Sequence, residues 1–224
     1  MVGQFLDDLS QSLNTGFLNH SNPSKEKYQP NLLLNNKESG QKVLSHILEE
    51  LQNCDEFWFH VAFLTKSGVA VLTNCLKELE SRGVKGKILV SQYLNFTQPQ
   101  ALKALLKFSN IDSRIVTSRN FHAKGYLFKK NDQINLIIGS SNLTSDALCS
   151  NTELNIKVTA AQNSKIIRDT LKEFNSEFEN SQALDDKYIS EYEIVFNAAE
   201  QRRESLSTES SQISSPIQPN SMQL

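Results

Sequence analysis

The run Phe121-His-Ala-Lys-Gly-Tyr-Leu-Phe-Lys129 and the run Ile134-Asn-Leu-Ile-Ile138 read as two strands, and the polar Lys130-Asn-Asp-Gln133 between them suits a tight hairpin turn. Residues two apart on a strand emerge on one face, which places His122 beside Lys124. Gly139-Ser-Ser-Asn142 follows where the partner strand ends, so its hydroxyl and amide donors come next to those two side chains. These residue types suit a phosphodiester. Lys124 offers a fixed charge, and Ser140 and Asn142 offer donors to non-bridging oxygens. His122 offers a nitrogen that attacks phosphorus or carries a proton near neutral pH.

Upstream of this hairpin, helical and strand patterns alternate. A helical stretch carries Val43, Leu44, Ile47, Leu48 and Leu51 at spacings of three and four, and the apolar run Glu56-Phe-Trp-Phe-His-Val-Ala-Phe-Leu64 follows it. A run this continuous predicts a strand covered on both faces. His60 within it reads as a core or loop-edge histidine. The cycle repeats with a helix over Gly68–Leu79 stopped at Gly83, a strand over Lys87–Val90, a helix Pro99–Phe108 opened by its proline, and a strand Arg114–Thr117. Downstream come a short helix at Ser145–Leu148, a strand Glu153–Val158, and an acidic helical stretch from Ser164 to about Glu204. The fold class is therefore α/β, a mixed β-sheet sandwiched between helices.

HxK followed by GSxN is similar to the motif of the phospholipase D superfamily, and the likeness covers about Leu32 to Ala160. Within that superfamily, Ser91-Gln-Tyr-Leu-Asn-Phe-Thr-Gln98, Phe121–Phe128 and Gly-Ser-Ser-Asn-Leu-Thr144 resemble the nuclease domain at the front of restriction-type, helicase-containing proteins. The resemblance implies that His122 is the nucleophile, forming a phosphohistidine, and that Lys124, Ser140 and Asn142 bind phosphate. It also implies that Glu153, eleven residues after Asn142, holds the histidine ring. Two departures stand out. Position 129 is Lys where the family motif has Asp, and the chain has one HxK where the family's site uses two histidines. A homodimer with a shared active site is what one motif per chain then implies.

Tyr93, Asn95 and Phe96, in a loop at the carboxyl end of a strand, and Arg119 are further candidate contacts to substrate. Arg82 to Lys130 holds ten Lys/Arg against one acid, Asp112, in a chain whose net charge is −2, and a basic block around the motif favours DNA over lipid as the partner. No HExxH, two-metal carboxylate spacing or Cys/His quartet is present, and the three cysteines lack CxxC spacing, so no metal site and no cofactor are expected. Nor is there a GxxxxGK[ST] loop, which puts any helicase or ATPase on a further domain or subunit.

With 224 residues and 38% apolar side chains, the chain suffices for one domain with appendages. The expected division is an N-terminal helix and loop over 1–30, a nuclease-like domain over 31–200, and a disordered Ser-rich tail or linker over 201–224. No apolar run is long enough to span a bilayer and the N-terminus is acidic, which predicts no membrane contact and a cytoplasmic location. The function expected from the sequence is a metal-independent endonuclease acting on DNA, as the nuclease module of a restriction or defence system. The alternatives are a phospholipase D-type lipid phosphodiesterase and a catalytically inactive nucleic-acid-binding module.

Overall fold

The computed structural model describes residues 29–117 and 121–213. Arg119, the expected helix near Phe5–Leu13 and residues 214–224 lie outside the described residues. In chain order the elements are β1 (Asn31–Leu33), α1 (Val43–Asn53), β2 (Glu56–Val61), α2 (Lys66–Ser81), β3 (Lys85–Ser91), α3 (Pro99–Leu105) and β4 (Ile111–Val116). They continue with β5 (Gly125–Lys130), β6 (Gln133–Gly139), α4 (Ser145–Cys149), β7 (Asn155–Ala161), α5 (Lys165–Glu179), β8 (Gln182–Ala183) and α6 (Asp186–Ile213). The strands form one mixed sheet in the order β1-β7-β6-β5-β2-β3-β4-β8. β2, β3 and β4 are parallel, and β5, which returns to the other side of β2, is antiparallel to it.

β2 is apolar throughout because each of its faces is covered. Phe57, Phe59 and Val61 enter the larger core with Ile47 of α1, Leu72 and Leu76 of α2, Leu102 of α3 and Tyr192 of α6. Trp58 points the other way, into a smaller core with Leu89, Leu127, Leu136 and the α5 residues Ile167, Phe174 and Phe178. Local chemistry sets the helix ends. Thr65 caps α2 by accepting from the Gly68 amide, and Gly83, at φ +70°, turns the chain out of it. Asn35 joins two helices, accepting from the Val43 amide that opens α1 and donating to the Ala147 carbonyl of α4.

Three sequence expectations are corrected. His122 and Lys124 precede β5 instead of lying on it, because the ladder to β2 begins at the His60–Gly125 pair. The stretch 164–204 is two helices, since Gln182 and Ala183 leave the helical path to pair with β4. The tail expected from 201 begins in helix, as α6 runs on to Ile213.

His60 lies on the smaller-core face of β2, its ring 5.8 Å from Phe174 and 6.3 Å from Phe121. Its Nε2 is buried and has no hydrogen-bond partner among the described residues, and burial pushes the imidazole down to about 4. The charged form is thus penalised in the folded state, so the unfolded chain binds the proton first as pH falls through the ordinary histidine value of about 6.5. Stability should be full above pH ~6.5 and fall by about 2–3 kcal/mol on descending to pH ~4. Urea unfolding of the native chain and His60→Leu across this range checks it. The variant should show the smaller pH dependence, and parallel profiles would contradict the account.

Candidate functional site

The carboxyl ends of β2 and β3, the start of β5 and the end of β6 meet at one edge of the sheet, where the strand order reverses about β2. Such switch points are where open α/β sheets leave a crevice. The segment Phe121–Lys124 crosses this edge. Buried Ser91, the last residue of β3, fastens it: Ser91 Oγ lies 3.0 Å from the Phe121 carbonyl oxygen and 2.7 Å from that of Ala62, so its one proton is shared between them. The Phe121 ring anchors the segment in the smaller core.

Lys124 is only 9% exposed, yet its ammonium reaches the site. Its Nζ lies 2.8 Å from His122 Nδ1, 3.2 Å from Nε2 and 3.0 Å from the His122 carbonyl oxygen. Burial pulls the Lys124 ammonium below the usual lysine range, and the Glu153 carboxylate works in the opposite direction. His122 itself is exposed. A cationic donor thus sits beside an accessible imidazole, and the two can together bind an anionic oxygen and carry a proton.

The other wall is Gly139-Ser-Ser-Asn142. A side chain at Gly139 would lie 2.2 Å from the Leu154 carbonyl oxygen and 2.5 Å from Asn155 Oδ1, so only glycine lets β6 and β7 close here. Ser141 faces inward and holds the turn. Its amide donates to Asn155 Oδ1 (3.3 Å), its hydroxyl accepts from Asn155 Nδ2 (2.9 Å), and its carbonyl accepts from the Tyr126 hydroxyl (2.9 Å). Asn142 Oδ1 accepts from the Phe63 amide at 3.3 Å, which orients the side chain and turns its amide nitrogen away from that contact. Thr144 then caps α4 by accepting from the Ala147 amide.

The structure therefore brings His122 and Lys124 into contact and stations Ser140 and Asn142 on the adjoining turn. Tyr93 packs edge-on against His122, ring centroids 5.1 Å apart, and Asn95 ends the same short loop. Glu153 lies in the loop before β7 and takes a hydrogen bond from Ser140 Oγ. Glu153, the ring partner that the resemblance implies, engages Ser140 here, and the His122 ring lies against Lys124. Ser91, Tyr126 and Asn155 hold the site without having been singled out from the sequence. Each is a polar side chain at a position whose strand neighbours are apolar, and that is the signal that marks them.

Among the described residues the basic block does not gather around the site. Lys85 and Lys129 stand opposite Glu56 in the strand register, at the far end of β2 from His60, about 13 Å away at the usual rise per residue. Arg82 pairs with Glu78, Lys103 with Glu193, and Arg114 with Asp112 and Glu179. Of the ten cations, Lys124 is the one described at His122. Among the described residues no group of three or more His, Cys, Asp or Glu is arranged to hold a metal ion.

Residues 47–181 match the family model described as "Cardiolipin synthase, PLD-like domain". The chain belongs to the phospholipase D-like domain family. Solved structures with the same fold include Nuc from Salmonella typhimurium, a phospholipase D family member, at 17% identity and TM-score 0.54, covering 69% of this chain and 98% of that one. NucT from Helicobacter pylori gives 18% and 0.54 with the same coverage. The phosphatidylserine synthase of Haemophilus influenzae gives 14% and 0.55, covering 80% of this chain and 47% of that one. At these identities the likeness is one of fold. Comparison with curated proteins gives no match.

Asn155→Ala removes two buried hydrogen bonds from the Ser140–Asn142 turn, and an expected loss of about 2 kcal/mol in unfolding free energy follows. Denaturant titration measures it, and an unchanged midpoint would mean that the turn holds itself.

Proposed function

We propose that the protein is a nucleic-acid phosphodiesterase, an endonuclease acting on DNA through a phosphohistidine on His122. The observation that carries this is the Lys124 ammonium 2.8 Å from an exposed imidazole at the edge where the Gly139–Asn142 turn ends. In the first step a His122 nitrogen attacks phosphorus and the leaving alkoxide takes a proton from an acid on its far side. In the second, water attacks phosphorus, that same group accepts the water proton, and the His122–phosphorus bond breaks. Lys124 and Asn142 stabilise the charge on the non-bridging oxygens in both steps, and Ser140 joins them when its hydroxyl proton turns from Glu153 to the phosphate. No metal is assigned a role.

One histidine cannot be nucleophile and acid at once, and a second copy of the chain supplies the other in a homodimer with a shared site. The smaller-core face of the sheet supports this reading. Leu32, Ile156 and Ile138 stand side by side across β1, β7 and β6. Leu32 is 65% exposed and Ile138 44%, and Leu154 next to them is 62% exposed. This apolar strip adjoins Gly139 and Ser140 and is suited to a two-fold contact that brings two sites together. The resemblance to the front domain of restriction-type helicase proteins supports a place in a restriction or defence system, with the ATPase on a further domain or subunit, and a cytoplasmic setting. No described helix is long and apolar enough to cross a membrane.

Incubation with DNA, and separately with phospholipid vesicles, in excess EDTA tests the assignment. DNA cleavage supports it, head-group release would make the protein a lipid phosphodiesterase, and DNA binding without either would make it a binding module. His122→Ala should cut the DNA cleavage rate by at least about 10³-fold while DNA affinity stays within a few-fold. Excess His122→Ala subunits, exchanged into the native protein, should depress activity below the native fraction. Activity strictly proportional to native subunits would contradict the shared site.

A further inference from the structure

The loop between β3 and α3 is held in a conformation that its residues do not favour. Leu94 and Asn95 both have left-handed backbones, at φ 50° and 54°, in a one-turn 3₁₀ helix over Tyr93–Asn95. A leucine there is uncommon and pays for the strain through its surroundings. The Tyr93 amide donates to Ser91 Oγ (3.1 Å), the Tyr192 hydroxyl to the Thr97 carbonyl (2.8 Å), and the Arg203 guanidinium to the Leu94 carbonyl (3.1 Å). The last two donors come from α6. The result is exposure: Leu94 is 59% and Phe96 40% accessible. Phe96 packs against Phe63 at 5.6 Å, the Arg203 guanidinium lies over its ring at 4.9 Å, and Tyr93 touches the His122 ring.

We propose that Leu94, Phe96 and the Arg203 guanidinium form a base-stacking shelf that takes the unpaired base of a nucleotide flanking the phosphate at His122. The proposal rests on the nucleic-acid reading above and narrows its substrate to strands whose bases are free. A base has a π face that an aromatic ring and a planar guanidinium both accept, and such stacking is tolerant of sequence. A duplex keeps those faces inside its own stack and cannot offer them. Tyr93 at the start of this loop touches the His122 ring, and Phe63, on which Phe96 packs, donates its amide to Asn142, so a strand bound on the shelf by its base has its adjoining phosphate directed to the candidate site. Strain kept at this loop and a cation laid on its aromatic ring fit a ligand of this chemistry better than the bare apolar strip across β1, β7 and β6 does.

The test is equilibrium binding and cleavage by the full chain of two fluorescein-labelled strands of equal length, oligothymidylate and its abasic-spacer analogue. The native protein should bind the base-bearing strand about tenfold more tightly. Phe96→Ala and, independently, Arg203→Ala should bring that ratio toward one, and Phe96→Trp should keep it. A native ratio of one overturns the shelf, as does a ratio untouched by both alanine variants. A Phe96→Ala variant with unchanged ratio and a weakened dimer assigns the residue to the subunit contact and overturns it as well. Binding with the predicted ratio but no cleavage of either strand leaves the shelf standing and refutes the phosphodiesterase reading.

Discussion

An ammonium group on a buried stem must find partners within reach, and Lys124 finds them on the residue two positions before it. Both ring nitrogens and the carbonyl oxygen of His122 lie within 3.2 Å of its Nζ. Only one nitrogen of a neutral imidazole accepts at a time, so the ammonium is held by that nitrogen and the carbonyl oxygen, and the desolvation that depresses it makes both contacts count for more than they would in water. The rest of the edge is arranged around that requirement. Ser91 ties down Phe121 just before the histidine, Gly125 leaves room for the His60 ring just after the lysine, and the Gly139 amide reaches the Lys124 carbonyl at 3.4 Å. In the proposed reaction a non-bridging phosphate oxygen draws the ammonium off the imidazole, which frees the ring lone pair for attack, so binding of substrate releases the nucleophile.

Much of the layer structure is legible in the sequence because strong local signals agree with it. The two-sided run Phe57–Val61 has to be a covered strand, Pro99 opens a helix and Gly83 closes one. What is not legible depends on partners distant in the chain. Phe121–Phe128 alternates like a single strand, yet the ladder starts at Gly125 because His60 stands opposite that residue. The helix-end signals near Ser181 are weak ones, Asn180 closing α5 and Asp185 accepting from the Tyr188 amide to open α6, and the break is completed by Gln182 and Ala183 pairing with β4. Ser-rich sequence after position 200 reads as a tail, but α6 continues there with Arg203 fastened to Leu94 and Phe96.

The candidate site is named by a different route, from residue type. His122, Lys124, Ser140 and Asn142 are named by motif and gathered by the fold. Glu153 is near them but occupied by Ser140, and its place in the motif carries no information about which neighbour it engages. The basic block shows the opposite failure. Cations contiguous in sequence are dispersed by antiparallel strands and by their own carboxylate partners, so a linear count of charge overstates the field at the site. The proposed recognition of a nucleic acid therefore rests more on Lys124, on neutral donors and on aromatic surface than on the basic block.

The stereochemical course at phosphorus tests the central claim most directly. Cleavage of a DNA phosphorothioate of one defined configuration, in isotopically labelled water, reports how many displacements occur at that atom. Attack by His122 followed by attack of water makes two in-line displacements, and the account predicts retention of configuration. Inversion would mean that water attacks the diester directly, and would contradict a phosphohistidine on His122.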